Sequence, residues 1–348
     1  MNKHVDFSRL ERDWGIVVLA QDYLPIEYKR SYQVALDAQP TLAVGPGSSG
    51  VPALFTTYVD PEVIRVLQAP NEGADILGER KEGDWTTQTA MFLVVENTGE
   101  VSSYGDKNNV GMSDANATFP QRQSYLFQTI IEYGDLEQER MAKAKLNWVS
   151  EKQMSSALTL SKFQDYTYHN GVLGLQNYGL LNDPALSAPL SPATKAAGGV
   201  TWITGAGVIN ATANEVYADI QALFNKLVAQ TMGRVKKNDD LTLAMSPGSD
   251  VALTSTNSFG VNVMDLLTKN FPKLKVKTSP RYATGAGNVV QLIADRFDGQ
   301  DTGFCSFNEK SRDHAIVREL SAWKQKKTAG SWGAVIRYPA AVAQLLGV

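Results

Sequence analysis

Six prolines, Pro25, Pro40, Pro46, Pro52, Pro61 and Pro70, fall within the first 75 residues of this 348-residue chain. Each removes a backbone donor and locks φ, so no helix or central strand runs unbroken through the segment. Gly45-Pro46-Gly47-Ser48-Ser49-Gly50 adds a loop. Apolar patches such as Ile16–Leu19 are too few to close a core there. The segment therefore reads as an arm that lies on its own chain's body or on a neighbouring subunit.

That body has to come from the rest of the chain. At ~150 residues per domain the length implies about two domains, and 43% hydrophobic with 20% charged residues is the composition of a folded protein. A net charge of −3 argues against a dedicated basic reader of nucleic acid. Cys305 is the only cysteine, which excludes an intrachain disulfide and a zinc site of several thiolates and fits a reducing compartment. The apolar run Trp14–Ala20 is far short of the ~20 residues of a spanning helix, and Met1–Asp13 lacks the apolar region of a signal peptide. The expectation is a cytoplasmic product.

Beyond the arm, Gln88–Glu96 reads as a strand, Asn97-Thr98-Gly99 as its turn and Glu100–Tyr104 as the returning strand. The first strand holds Met91-Phe92-Leu93-Val94-Val95, five apolar residues in a row, so both of its faces want cover. An isolated hairpin is marginal in water, and exposed apolar strand invites another chain. Tyr125, Phe127, Thr129, Ile131 and Tyr133 alternate through a second strand that ends at Gly134.

Asp135, with Gln138 three residues on, suggests a helix start, and helical composition persists to His169 before Asn170-Gly171 stops it. One helix of about 33 residues, ~50 Å long, is expected. Leu146, Val149, Ser156, Leu160 and Phe163 form its stripe, while Trp148, Met154, Ala157 and Leu158 lie off it, so more than one side expects contacts. Gly171–Pro192 is loop-rich and marks a domain boundary. After it, Thr212 and Glu215 make a capping box for a helix whose Val216, Ile220, Leu223, Phe224 and Leu227 form an apolar face. Leu241–Met245 and Leu274–Thr278 read as strands, Asn262–Asn270 as a helix and Gly333–Tyr338 as a last strand. The class is α+β.

Catalytic motifs are scarce. His4, His169 and His314 have no metal-ligand spacing. Cys305, set among aromatic neighbours, fits a small buried hydrophobe better than a nucleophile, and a Cys305/His314 enzyme is the weakest of the readings. Gly205-Ala206-Gly207 and Gly285-Ala286-Gly287 lack the third glycine of a dinucleotide fingerprint and read as turns. Arg234, Lys236 and Lys237 suit a helix C-terminus. Lys324, Lys326 and Lys327 read as a solvated loop, and Lys143, Lys145 and Lys152 as a solvated helix face.

The order of parts, with Gly179-Leu180-Leu181-Asn182-Asp183-Pro184, Asn270-Phe271-Pro272-Lys273-Leu274 and Gly333-Ala334-Val335-Ile336-Arg337-Tyr338-Pro339-Ala340-Ala341-Val342, resembles the tailed-bacteriophage major capsid protein. The resemblance is to the Hong-Kong-97-type capsid fold shared with encapsulin shells, and within it to the bacteriocin-like major capsid family of phages and prophages. The resemblance implies an N-terminal arm over 1–75, an extended hairpin loop over 76–118, a peripheral domain with a long spine helix over 119–200 and 325–348, and an axial domain over 201–324. It implies a structural protein, not an enzyme, with no cofactor and no metal. Its copies would form hexamers and pentamers of an icosahedral shell around double-stranded phage DNA. Portal and scaffold proteins are implied partners, with no membrane, and assembly in the host bacterial cytoplasm into the virion. Met91, Phe92, Leu93, Val94, Val95, Trp148 and Met154 are the expected intersubunit contacts. Some relatives carry a cleaved scaffolding segment before the arm; none precedes it here, so a separate scaffold is expected. Some also crosslink lysine to asparagine, which draws attention to Lys107 and Asn108. An encapsulin-like compartment for a cargo enzyme is the alternative.

Overall fold

The computed structural model describes residues 71–108, 110–143, 147–205 and 207–348. Expectations for the first 70 residues, with the Gly45–Gly50 loop and His4, lie outside the described residues, as do Lys145, Leu146 and Ala206. In chain order come helix α1 (Gly73–Leu77), strands β1 (Glu79–Lys81), β2 (Thr89–Met91), β3 (Val94–Gly99), β4 (Ser113–Thr118), β5 (Gln121–Gln123) and β6 (Tyr125–Gly134), and helices α2 (Asp135–Lys143) and α3 (Trp148–Asn170). Then follow α4 (Ala213–Gln230), β7 (Leu241–Met245), α5 (Val263–Asn270), β8 (Leu274–Thr278), β9 (Gly287–Ala294), β10 (Gly303–Glu319), β11 (Ala322–Ile336) and β12 (Val342–Leu346). Of the described residues, one compact unit takes 71–127, 161–311 and 329–348, and the other takes 128–160 and 312–328.

The larger unit is built on a sheet of order β12-β9-β7-β8. β7 is buried along its whole length, as a central strand covered on both faces must be. The two-residue period of its strands sorts side chains into two cores. Leu241, Leu243 and Met245 join Val290, Leu292 and Leu345 beneath α4, whereas Ala244 joins Ile293, Val342, Leu180 and Tyr282 on the other side. The Thr212–Glu215 capping box forms with both of its hydrogen bonds, and Val216, Ile220, Leu223 and Leu227 are buried. Phe224 meets Phe271 edge-on at 4.9 Å. Asn262 caps α5 by accepting from the Asp265 N–H at 2.6 Å. Gly333–Tyr338 is not the last strand: β11 carries it to Ile336, and β12 then pairs Val342 with Ile293 and Leu345 with Val290.

Two of the sequence motifs meet at the end of α3. Gly171 (φ +63°) ends the helix as Asn170-Gly171 implied, and a Cβ there would stand 2.3 Å from the Asn177 carbonyl oxygen. Gly333 (φ +75°) lies against the Tyr178 carbonyl, where a Cβ would be 2.3 Å away, and the Ala334 N–H donates to that same carbonyl at 2.9 Å. Asn182 Oδ1 accepts from the Gly179 N–H at 2.7 Å, and Asp183 receives Arg122 at 2.7 Å. The motif thus fixes the loop by side-chain hydrogen bonds.

His169 is fully buried there, with Nδ1 2.9 Å from the Asp165 carbonyl oxygen and Nε2 3.0 Å from Ser279 Oγ. That pattern assigns a neutral ring donating from Nδ1 and accepting at Nε2. Burial pushes its pKa below the ordinary 6.5, with Asp165 pulling partly the other way. Below pH 6.5 the unfolded chain binds a proton that the folded ring refuses, so stability is expected to fall as pH drops through that value. Urea denaturation at about pH 7.5 and about pH 5.5 measures the loss. His169→Gln is expected to flatten it, which separates the imidazole from carboxylates such as Glu72, whose pKa burial and Asp165 push up.

In the smaller unit, Thr129, Ile131 and Tyr133 of β6 face inward and Gln128, Ile130 and Glu132 outward, as the alternation predicts. The single long helix is corrected to two. Asp135 does not cap: its Oδ1 accepts from Trp323 Nε1 at 2.9 Å. Glu137, not Gln138, takes Trp148 Nε1 at 2.5 Å and Lys152 Nζ at 2.9 Å, so α3 starts as a separate helix braced on α2. Asn147 begins it, accepting from the Ser150 N–H at 3.4 Å. Lys324, Lys326 and Lys327 are likewise not a loop but part of β11, where Lys327 is buried 3.3 Å from Asp313.

Candidate assembly surface

Among the described residues β3 and β4 pair only with each other, from Val94 opposite Thr118 to Gly99 opposite Ser113, and every residue of both strands is exposed. The expected turn and returning strand are corrected. Gly99 still belongs to the ladder, and the chain reverses at Gly105–Asn108, where the Asn108 N–H donates to the Gly105 carbonyl at 2.9 Å. Asn108 Nδ2 donates to the Ser103 carbonyl at 2.7 Å and its Oδ1 accepts from the Val110 N–H at 3.0 Å. Its amide is engaged within the turn rather than presented beside Lys107. The run Gly105-Asp106-Lys107-Asn108 is richer in turn formers than Asn97-Thr98-Gly99, and that was the available signal.

Met91-Phe92-Leu93-Val94-Val95 does not form one strand. Met91 ends β2, which pairs with β5, and Val94 opens β3. Between them the Phe92 N–H donates to the Pro120 carbonyl at 3.0 Å, and the half-buried Phe92 ring meets Phe304 edge-on at 6.5 Å. Met91 (61% exposed), Leu93, Val94 and Val95 remain open to solvent, and towards the tip so do Val101, Tyr104 (93%), Val110 and Met112. Val101 and Tyr104 fall on the expected returning strand and Val110 and Met112 beyond it, so the sequence does not set them at a tip. An exposed apolar set this dense marks an interaction surface. In the smaller unit Met154 is exposed, whereas Trp148 is half-buried against Glu137.

Strand alternation also segregates charge on the ribbon. Glu96 and Asp114 share one face with Glu100, whose N–H extends the ladder to the Met112 carbonyl at 2.8 Å, while Val95, Ala115 and Ala117 line the other. At the root, two guanidinium groups lie over the buried Phe304 ring, Arg80 at 5.3 Å and Arg337 at 4.9 Å.

Cys305 lacks the surroundings of a nucleophile. Cys305 is buried, its Sγ donating to the Gly73 carbonyl at 3.3 Å, and burial pushes its pKa well above the ordinary thiol value. A nucleophile needs the opposite shift. His314 belongs to the other compact unit, where its Nε2 lies 2.9 Å from Thr328 Oγ1. Among the described residues no group of histidine, cysteine and carboxylates is arranged to hold a metal, and no helix is long and apolar enough to cross a membrane.

Residues 42–347 match the family model described as Pa193 gp26 major capsid protein. No curated protein sequence matches the chain. Among solved structures, the capsid of Myoviridae phage XM1 is similar at TM-score 0.71 and 14% identity, over 86% of this chain and 99% of that one. The capsid of a native GTA particle gives 0.58 at 9% identity, over 88% and 100%. Gordonia phage Cozz gives 0.54 at 12%, over 90% and 98%. At these identities the likenesses establish the fold, the α+β phage capsid type.

Proposed function

The chain belongs to the Pa193 gp26 major capsid protein family and is a structural capsid subunit; from that premise we propose that its copies close into an icosahedral head, as hexamers and pentamers, around double-stranded DNA. The carrying observation is the ribbon, whose two strands expose every residue. In the head it lies on a neighbouring copy, with Met91, Leu93, Val94 and Val95 in the contact and Phe92 holding its root. Met154 and the exposed edge of Trp148 contribute from α3. With a net charge of −3 per copy the shell does not condense DNA, so filling it falls to a portal and its motor, after a scaffold has set the size. Heterologous contacts that close on themselves are the general route to such shells.

Negative-stain microscopy of the purified chain over a concentration series, with and without its scaffold protein, tests this. Closed particles of uniform size are expected. Monomers at every concentration under both conditions would overturn the proposal.

A further inference from the structure

The ribbon carries four carboxylates, Glu96, Glu100, Asp106 and Asp114, against the single Lys107. Its register places Glu96, Glu100 and Asp114 on one face, and among the described residues none of the three has a cation partner. Like charges gathered on one face of a two-stranded ribbon are unfavourable. Solvation of scattered charges does not require such sorting, since the opposite face holds Val95, Ala115 and Ala117 and no charge.

The complementary imbalance stands at the ribbon's root. Arg80 and Arg337 share the Phe304 ring, and Glu82 answers only Arg80, at 2.8 Å. The half-buried Arg337 guanidinium has no carboxylate partner among the described residues. Stacking on a buried ring holds it in place, so a partner's carboxylate meets a preorganised donor. Among the described residues the ribbon of the same chain leaves this cation unpaired, which leaves it open to a carboxylate from a second copy.

We infer that the acidic face of the ribbon, Glu96, Glu100 and Asp114, docks on the Arg337–Phe304–Arg80 platform of a second copy. The inference rests on the shell reading and names the receiving surface for the ribbon. Val94 and Met112 share that acidic face and enter the same contact, while the opposite face with Val95, Ala115 and Ala117 stays free for a different neighbour contact. Close charge pairs at interfaces couple strongly and steer register, which is what a shell built of identical copies requires.

The test is a charge swap in the full chain. Arg337→Glu alone and Glu96→Arg with Glu100→Arg are each expected to raise the concentration at which shells appear by about tenfold or more. Combining all three substitutions is expected to bring it back to within about threefold of the natural value. Thermal melting of the unassembled subunits reports folding; if Arg337→Glu melts early, Arg337→Gln takes its place and is expected to shift assembly in the same direction. Shells from the natural chain together with unaffected assembly by the single reversals would overturn the inference and leave the shell reading standing. A block at Arg337 that the ribbon reversal does not relieve would overturn it too, because the platform then receives another carboxylate. No shells from the natural chain is the failure of the shell reading itself.

Discussion

Aspartate in place of both Leu93 and Val95 is expected to leave the isolated subunit as stable as the natural chain while raising the concentration needed for assembly by at least about 100-fold. Both side chains are exposed, Leu93 by 62% and Val95 by 53%, so neither supports its own fold appreciably. Substitutions at such positions typically change stability by only about ±0.5 kcal/mol. Burial against a neighbour reverses this, since two charges in an apolar contact cost far more than the contact contributes. Phe92 is the internal control: its ring meets Phe304 and is half-buried, so Phe92→Asp is expected to lower the melting temperature as well as assembly. Sedimentation velocity and microscopy read assembly, and circular dichroism reads melting. Shells forming at the natural concentration with both aspartates present would remove the ribbon from the interface.

Local signals were legible and long-range ones were not. The Thr212–Glu215 box lies within one helical turn, and the alternation of β6 is written in consecutive residues, so both are readable without knowing the neighbours. The break before α3 is different. Residues 135–169 have helical composition throughout, and what separates α2 from α3 is Trp148 and Lys152 meeting Glu137, with Asp135 drawn to Trp323. Asn147 was the one local hint. The ribbon turn was misplaced because Asn97-Thr98-Gly99 is a fair turn sequence; six ladder pairs between β3 and β4 outweigh that preference and extend the strand through Gly99. The platform at the ribbon's root was invisible in the sequence, since residues 80, 304 and 337 become neighbours only through sheet register. The motifs Gly179–Pro184 and Gly333–Val342 proved informative for a steric reason: Gly333 leaves no room for a side chain beside Tyr178, and Asn182 and Asp183 each bind fixed partners.

Arg122 with Asp183 ties the ribbon's root to the body, and removing its acid is expected to be strongly destabilising. Arg122 stands in β5, the strand that pairs with β2 below the ribbon, and its Nη2 donates to Asp183 Oδ2 at 2.7 Å. The two side chains are only 13% and 1% exposed, and the guanidinium also lies 4.8 Å from the Tyr178 ring centroid. Its Nε is buried without a hydrogen-bond partner among the described residues, so the group depends on Asp183 for compensation. Asp183→Ala is expected to cost about 3–5 kcal/mol in urea denaturation, because it strands a buried charge. The same truncation in the exposed pair Arg296–Asp301, at 3.3 Å with both side chains mostly in solvent, is expected to cost no more than about 1 kcal/mol. Replacing Arg122 by methionine in the Asp183→Ala background is expected to recover much of the loss, since no charge then remains to be compensated. Equal costs for the buried and exposed pairs would show that the Arg122–Asp183 contact does not hold the ribbon's root, and the second-site methionine would then recover nothing.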